Sequence, residues 1–497
     1  MGVPTLNDGT SRQDAASVSV RSFGKLFIGG SWQASAGDER MDVISPVTEE
    51  LIATVPAAQP GDVDRAVSAA RQAFDSGEWP GLPVAERRRL MRKVADEIDA
   101  RAPELIETFT AEVGAPLRFS KVVAYMTSHF LRRNADLAGE MPIERPRDWG
   151  TGSGVLRREP VGVAAVITPW NIPTASISMK MAPALAAGCT VVAKPAWEGP
   201  VATLIMAEAI EAAGLPAGVV SILPGGRDAG QHLVSHRDVD KVTFTGSTAA
   251  GRRIMEACSE RVARVTLELG GKSAAIVADD IPLNDFLPSL VRGGINHSGQ
   301  VCAALTRVLV SRRRHDELVD ALSGAFAAMR MGDPFDRATQ LGPLVAERQR
   351  ERVEDYISLG RAEGAKVAAG GGRPAGLDRG WFVEPTLFVD ATNDMRIARE
   401  EIFGPVITVL PYDGLDEAID IANDSEYGLS GSVYTNDLDL GRNVARRIRS
   451  GQVFLNGAGT TLDAPFGGFK QSGIGREGGS EGIEEFFESK LIVERGI

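Results

Sequence analysis

Between Gly162 and Gly271 the chain repeats one pattern: a short continuous apolar run, a stretch at helical spacing, and a stop marked by glycine or proline. Apolar runs fall at 161–167, 190–193, 219–223 and 241–245, and the spacing predicts helices at 176–187, 201–213 and 248–258. Gly188 closes the first helix and Gly214-Leu215-Pro216 the second. Strand and helix in alternation build a parallel, doubly wound sheet, whose ligands sit beyond the carboxyl ends of its strands. The pattern therefore predicts an α/β fold with a nucleotide at those strand ends.

The clearest nucleotide signal is Phe244-Thr245-Gly246-Ser247-Thr248-Ala249-Ala250-Gly251, a strand turning directly into a helix. Gly246 and Gly251 permit close backbone approach, and free amides with Ser247 at the helix start suit a pyrophosphate. The segment is neither G-x-G-x-x-G nor a P-loop: Arg252 follows Gly251, and Thr266 stands where a P-loop ending in Gly271-Lys272-Ser273 needs glycine. Read alone, it serves equally as a tight helix–sheet packing turn.

A chain of 497 residues suggests two or three domains. Residues 1–22 read as a mobile tail without a signal or anchor segment. A hairpin is expected at 25–32, a strand-turn unit at 42–56, and helices at 62–74, 84–101, 103–113 and 119–137. Residues 142–148 form a Pro/Arg-rich break before an exposed strand at 154–159. A second α/β unit follows, with strands at 274–277, 306–310, 366–368 and 407–410 and helices at 315–329 and 345–360. The tail 489–495 reads as a strand with a wet face, paired with the segment near Val155 as a subunit contact.

Chemistry concentrates at Asn296 to Arg307, NHSGQVCAALTR, where Cys302 ends an apolar-flanked turn. A lone cysteine can be a small core residue, a metal ligand or a nucleophile. Two other segments favour the last: Glu268 within the strand-like Val265 to Leu269, and Asn171 after Thr168-Pro169-Trp170. A buried acid, an amide donor and a thiol are what covalent carbonyl chemistry needs. Cys189 and Cys258 read as core, His297 lacks a third group for a cysteine-hydrolase arrangement, and no metal-ligand spacing is visible. The net charge of −12 disfavours nucleic acid and anionic membranes, and the arginine triplets at 87–89 and 312–314 read as solvated faces. Scattered cysteines and the lack of a spanning run predict a cytoplasmic protein.

Assembled, these pieces resemble the aldehyde dehydrogenase superfamily from roughly Phe27 to Val493. The resemblance rests on Pro169-Trp170-Asn171, Lys194-Pro195, Phe244 to Ser247, Leu267 to Lys272, Gly299 to Cys302, Glu400 to Val406 and Pro465 to Glu477, in that order. It implies a Rossmann-type cofactor domain over 23–142 and 161–270, a second α/β catalytic domain over 271–468, and a small β oligomerisation element from 143–160 and 469–497. It further implies that Cys302 attacks an aldehyde, that Asn171 and the Cys302 N–H hold the oxyanion, and that Glu268 activates the water releasing the acid. NAD is the implied cofactor, with NADP as the alternative, and the partners are a small-molecule aldehyde and further copies in a homodimer or homotetramer.

Lys194 would bond the adenosine ribose, Gly246 and Ser247 line the pyrophosphate, Trp170 flank the phosphates, and Glu401 hold the nicotinamide ribose beside Phe403. One departure is visible: many NAD-preferring members carry an acid three residues after the lysine, where this chain has Trp197, with Glu198 one residue later. Glu198 is the candidate to swing in toward the ribose. The implied aldehyde pocket comprises Ile172, Ser176, Met179 and Phe466, with Val301 and Ala303 beside the thiol; it suits an uncharged hydrophobic aldehyde. A coenzyme A-acylating dehydrogenase and a noncatalytic structural homologue are the alternatives.

Overall fold

The computed structural model describes residues 20–494 except 458 and 460. Most of the expected tail, and the end of the strand expected at 489–495, thus lie outside the described residues. The apolar runs assemble into an eight-stranded sheet in the order Ser31–Gln33, Leu26–Ile28, Val220–Ile222, Thr190–Lys194, Val163–Ile167, Lys241–Thr245, Arg264–Glu268 and Gly473–Ile474. The five strands from Val220–Ile222 to Arg264–Glu268 run parallel. From Val163–Ile167 the chain builds outward first on one side and then on the other. The switch therefore lies between Val163–Ile167 and Lys241–Thr245, the place where sheets of this kind hold their ligands at the strand ends.

A second, seven-stranded sheet runs Lys366–Ala369, Thr386–Val389, Val406–Tyr412, Arg307–Ser311, Ala274–Val277, Ser430–Tyr434 and Gln452–Leu455. Only Lys366–Ala369 pairs antiparallel. Because Arg264–Glu268 is the last parallel strand of the first sheet in chain order and Ala274–Val277 the first strand of the second, the short link 269–273 sets the carboxyl ends of one beside the amino ends of the other. The candidate residues fall in this gap: Asn171, Lys194, Gly246 and Glu268 at or just past strand ends of the first sheet, Cys302 and Glu401 just ahead of strands in the second.

The Pro173–Ala187 helix packs on the first sheet with every residue buried. Proline at its start needs no N–H partner, and Gly188, at φ 103°, turns the chain out of the last turn. The terminal strand Phe487–Glu494 pairs with Gly152–Pro160, as expected, and does so antiparallel with Ile492 opposite Val155, leaving Leu491, Ile492 and Val493 exposed. The break expected at 142–148 is corrected: Glu144–Trp149 is the third strand of this sheet, with Pro146 on its outer edge, where a missing N–H costs no ladder bond. Helices Arg227–Ser235, Leu283–Ile295, Leu415–Asn423 and Leu438–Arg447 add to those expected. Among the described residues no helix is long and apolar enough to cross a membrane.

Candidate active site

Ahead of Cys302 the chain makes an unusual turn. His297, Ser298 and Gly299 take φ of 51°, 55° and 71°, three left-handed residues in succession. Such backbone costs about 1–3 kcal/mol for each non-glycine and persists only where its surroundings enforce it. Here Ser298 Oγ donates to the Gly342 carbonyl at 2.7 Å, and the Gln300 side-chain oxygen accepts the Val345 N–H at 3.0 Å. A Cβ on Gly299 would lie 2.0 Å from the Gly404 oxygen, so only glycine fits. The buried Asn171 amide donates to the Gln300 carbonyl at 2.9 Å, which places it beside the main chain leading to the thiol.

Cys302 is half-buried, and its thiol is pushed up to about 12, chiefly by burial and then by the charges of Glu401 and Glu268; the Cys302 and Ala303 N–H groups pull the other way. Both carboxylates therefore lie within electrostatic reach of the sulfur. His297 is buried, stacks on Phe119 at 4.6 Å between ring centroids, and is pushed down to about 3 by burial. Among the described residues neither ring nitrogen has a partner in ordinary hydrogen-bond geometry, although the nearby Asn171 main chain opposes the shift. It is a neutral packing group rather than a base.

Glu268 ends its strand buried, with neither carboxylate oxygen hydrogen-bonded among the described residues. Its carboxyl is held well above the usual range, first by burial and then by the charge of Glu477, against the opposing pull of Lys180 and Arg476. A Cβ on Gly467 would stand 2.6 Å from Glu268 Oε1, so glycine there makes room for the acid. Lys180 and Glu477 form an ion pair, both side chains almost wholly buried. The sequence reading assigned neither a role. The signal for Lys180 was available: it is the one charged residue in Pro173–Ala187.

On the nucleotide side, Lys194 donates to the Pro195 and Gly225 carbonyls at 2.8 Å each and is pushed down to about 8 by burial. Gly246 follows its strand, its N–H donating to the Glu268 carbonyl at 3.0 Å, and a Cβ there would meet the Phe244 ring at 2.4 Å. Ser247 caps the Thr248–Ser259 helix, its side chain accepting the Ala250 N–H at 3.3 Å. Glu401 accepts the Gly271 N–H at 3.0 Å on one oxygen, and its carboxyl is pushed up to about 7 by burial. Glycine at 270 leaves room for Glu401, since a Cβ there would lie 2.5 Å from the other Glu401 oxygen and would displace it. Trp170 meets Phe403 edge to face at 5.4 Å, joining the two halves of the cleft. Glu198 is paired with Arg348, while Trp197 lies 3.7 Å from where a Gly226 Cβ would be.

Ile172, Ser176 and Met179 are spaced to share one face of the Pro173–Ala187 helix, with Ser176 N–H donating to the Ile172 carbonyl at 2.8 Å. Val301 and Ala303 are half-buried on either side of the thiol. Phe466 is buried and bridges Glu477 through the main chain, at 2.6 and 2.8 Å.

Two mainly parallel α/β sheets meet beside a thiol and a buried acid that takes no side-chain hydrogen bond among the described residues, a layout suited to catalysis. The aldehyde dehydrogenase family model matches residues 32–492, and the chain belongs to that family. It is 47% identical over 470 residues to geranial dehydrogenase of Castellaniella defragrans, covering 94% of this chain and 98% of that protein. It is 43% identical to a Mycobacterium tuberculosis aldehyde dehydrogenase solved with NAD+, at a TM-score of 0.93 and covering 96% of this chain and 99% of that one. A cysteine-to-alanine mutant of Pseudomonas syringae aldehyde dehydrogenase C, solved with NAD+ and octanal, is 40% identical at a TM-score of 0.91, covering 94% and 96%.

Proposed function

We propose that this protein oxidises an uncharged, hydrophobic aldehyde to the carboxylic acid with NAD+, through a thioester on Cys302. The observation that carries the substrate class is the chemistry of the Pro173–Ala187 helix. Its face of Ile172, Ser176 and Met179 offers no charge, and the helix's one cation, Lys180, is engaged by Glu477. A substrate carboxylate or phosphate would find no free counter-ion there. The geranial dehydrogenase of Castellaniella and the octanal complex of the Pseudomonas protein agree with an apolar chain in that pocket.

The residues present fit a nicotinamide dinucleotide. One Glu401 oxygen takes no hydrogen bond among the described residues, and the first-turn amides of Thr248–Ser259 lie at the sheet's switch point. Lys194, Trp170, Gly246, Ser247, Glu401 and Phe403 would hold it, with Glu198 tied to Arg348 instead of the ribose. Bound there, NAD+ supplies the two-electron oxidant. Cys302, as thiolate, attacks the carbonyl carbon, and the Asn171 amide and the Cys302 N–H hold the oxyanion. The thiol's high pKa means that attack needs a proton acceptor, and Glu268, with its own raised pKa, matches that task and the later activation of water on the thioester. A buried water-activating base favours hydrolysis over transfer to coenzyme A.

In the same reading 23–142 with 161–270 form the cofactor domain, 271–468 the catalytic domain, and 143–160 with 469–497 the element that joins copies into a homodimer or homotetramer. A panel of hexanal, octanal, citral, benzaldehyde, succinic semialdehyde and betaine aldehyde, assayed with NAD+ and NADP+ at the reduced-nicotinamide absorbance, tests the function. Highest kcat/KM for the uncharged aldehydes with NAD+ is expected. Succinic semialdehyde or betaine aldehyde ahead of them overturns the pocket, and NADP+ ahead of NAD+ overturns the cofactor preference.

A further inference from the structure

The Glu347–Ala362 helix touches both walls of the cleft to which the preceding reading assigns the dinucleotide. On one wall Gln349 Nε2 donates to the Phe403 and Ile402 carbonyls at 2.8 and 3.3 Å. One turn on, Arg352 donates to the Glu401 and Ile402 carbonyls at 2.5 and 3.2 Å. These bonds hold the main chain of Glu401 to Phe403, where Phe403 is left-handed at φ 61°. On the other wall Arg348, next to Gln349 on the same helix, pairs with Glu198 in the loop 195–200 that follows Lys194.

That loop is itself anchored. Glu112, buried on the Ala102–Val113 helix, accepts the Val201 and Ala202 N–H groups at 2.9 and 3.1 Å and so fixes the start of the Val201–Ala213 helix directly after it. Glu198 therefore projects from a braced loop, and its side chain is only 15% exposed, whereas Arg348's is 63% exposed. An exposed arm from the second half of the molecule reaches a recessed carboxylate on the first.

We propose that the Arg348–Glu198 pair is a latch across the cofactor cleft, with Arg348 a positioning residue that governs how fast the dinucleotide leaves; this rests on the cofactor reading above. Both partners belong to elements that border the proposed nucleotide without either being spent on it. A partly exposed ion pair contributes modestly and is screened by salt, so its loss should change an exchange rate severalfold, not by orders of magnitude. Product release limits turnover in many enzymes, and where it does so here the effect reaches kcat as well.

The test is stopped-flow displacement of NADH from the full-length protein and from Arg348→Ala, Glu198→Arg and the double variant Arg348→Glu with Glu198→Arg. Single-turnover oxidation of octanal at saturating NAD+ is measured beside it. Arg348→Ala is expected to release NADH about 2- to 5-fold faster at low salt with the single-turnover rate unchanged, and the charge-swapped pair is expected to restore slow release. Added salt should accelerate release from the parent but not from Arg348→Ala. Equal release from parent and Arg348→Ala overturns the latch alone, as does a parallel fall in the single-turnover rate, which marks a merely structural role. A parent that binds no NADH overturns the cofactor reading and the latch with it.

Discussion

At the scale of single residues the account turns on how burial sets the reactivity of Cys302 and Glu268. Cys302→Ala is expected to abolish aldehyde oxidation while NADH binding by fluorescence is retained; substantial turnover by the variant would contradict the nucleophile assignment. Glu268 has the opposite thermodynamic signature from a salt-bridged acid. Folding raises its pKa above 4.5, so its contribution to stability is complete below that value and is lost as pH rises through the raised one. Glu268→Gln should therefore melt higher than the parent, by a margin that widens as pH rises above 4.5 toward the raised value. A margin that narrows over that range would show the carboxylate to be stabilised in the fold. Asn171, Glu268 and Cys302 were legible because each sits in a short segment of distinctive composition. Lys180 stood out as the one charge in its helix, but its role did not, since its partner Glu477 is 297 residues away and the pair exists only once the helix lies against the C-terminal segment.

At the scale of elements, the Pro173–Ala187 helix links the pocket to the base: Met179 stands on the proposed pocket face, and Lys180 next to it pairs with Glu477. Since the Glu477 charge raises Glu268 and the Lys180 charge lowers it, Glu477→Gln should move the acid limb of the pH–rate profile to lower pH and Lys180→Met to higher pH. Shifts in one direction for both variants would break the electrostatic explanation. Each substitution leaves a buried charge unpaired and should cost about 3–5 kcal/mol in chemical denaturation. The elements that periodicity placed well, such as Val201–Ala213 and Lys241–Thr245, are those whose own residues decide their structure. Leu283–Ile295 escaped because Pro288 and adjacent glycines break its pattern, and Glu144–Trp149 because its arginines and Pro146 read as a turn until Gly152–Pro160 pairs with it.

At the scale of the whole molecule, two sheets contribute opposite ends to one gap, so neither half holds the chemistry alone. The three-stranded sheet stands apart from that gap and leaves Leu491, Ile492 and Val493 exposed at 47%, 44% and 58% on its terminal strand. An exposed apolar strand invites a second chain, and deletion of residues 491–497 should yield smaller species in light scattering; an unchanged mass would remove that strand from the interface. The proposed covalent oxidation on Cys302, completed by Glu268, meets its sharpest test in intact-protein mass spectrometry of Glu268→Gln mixed with octanal and NAD+. One equivalent of NADH in a burst and an octanoyl adduct that peptide mapping places on Cys302 are expected. A burst without an adduct, an adduct on another residue, or steady turnover equal to the parent's would contradict it.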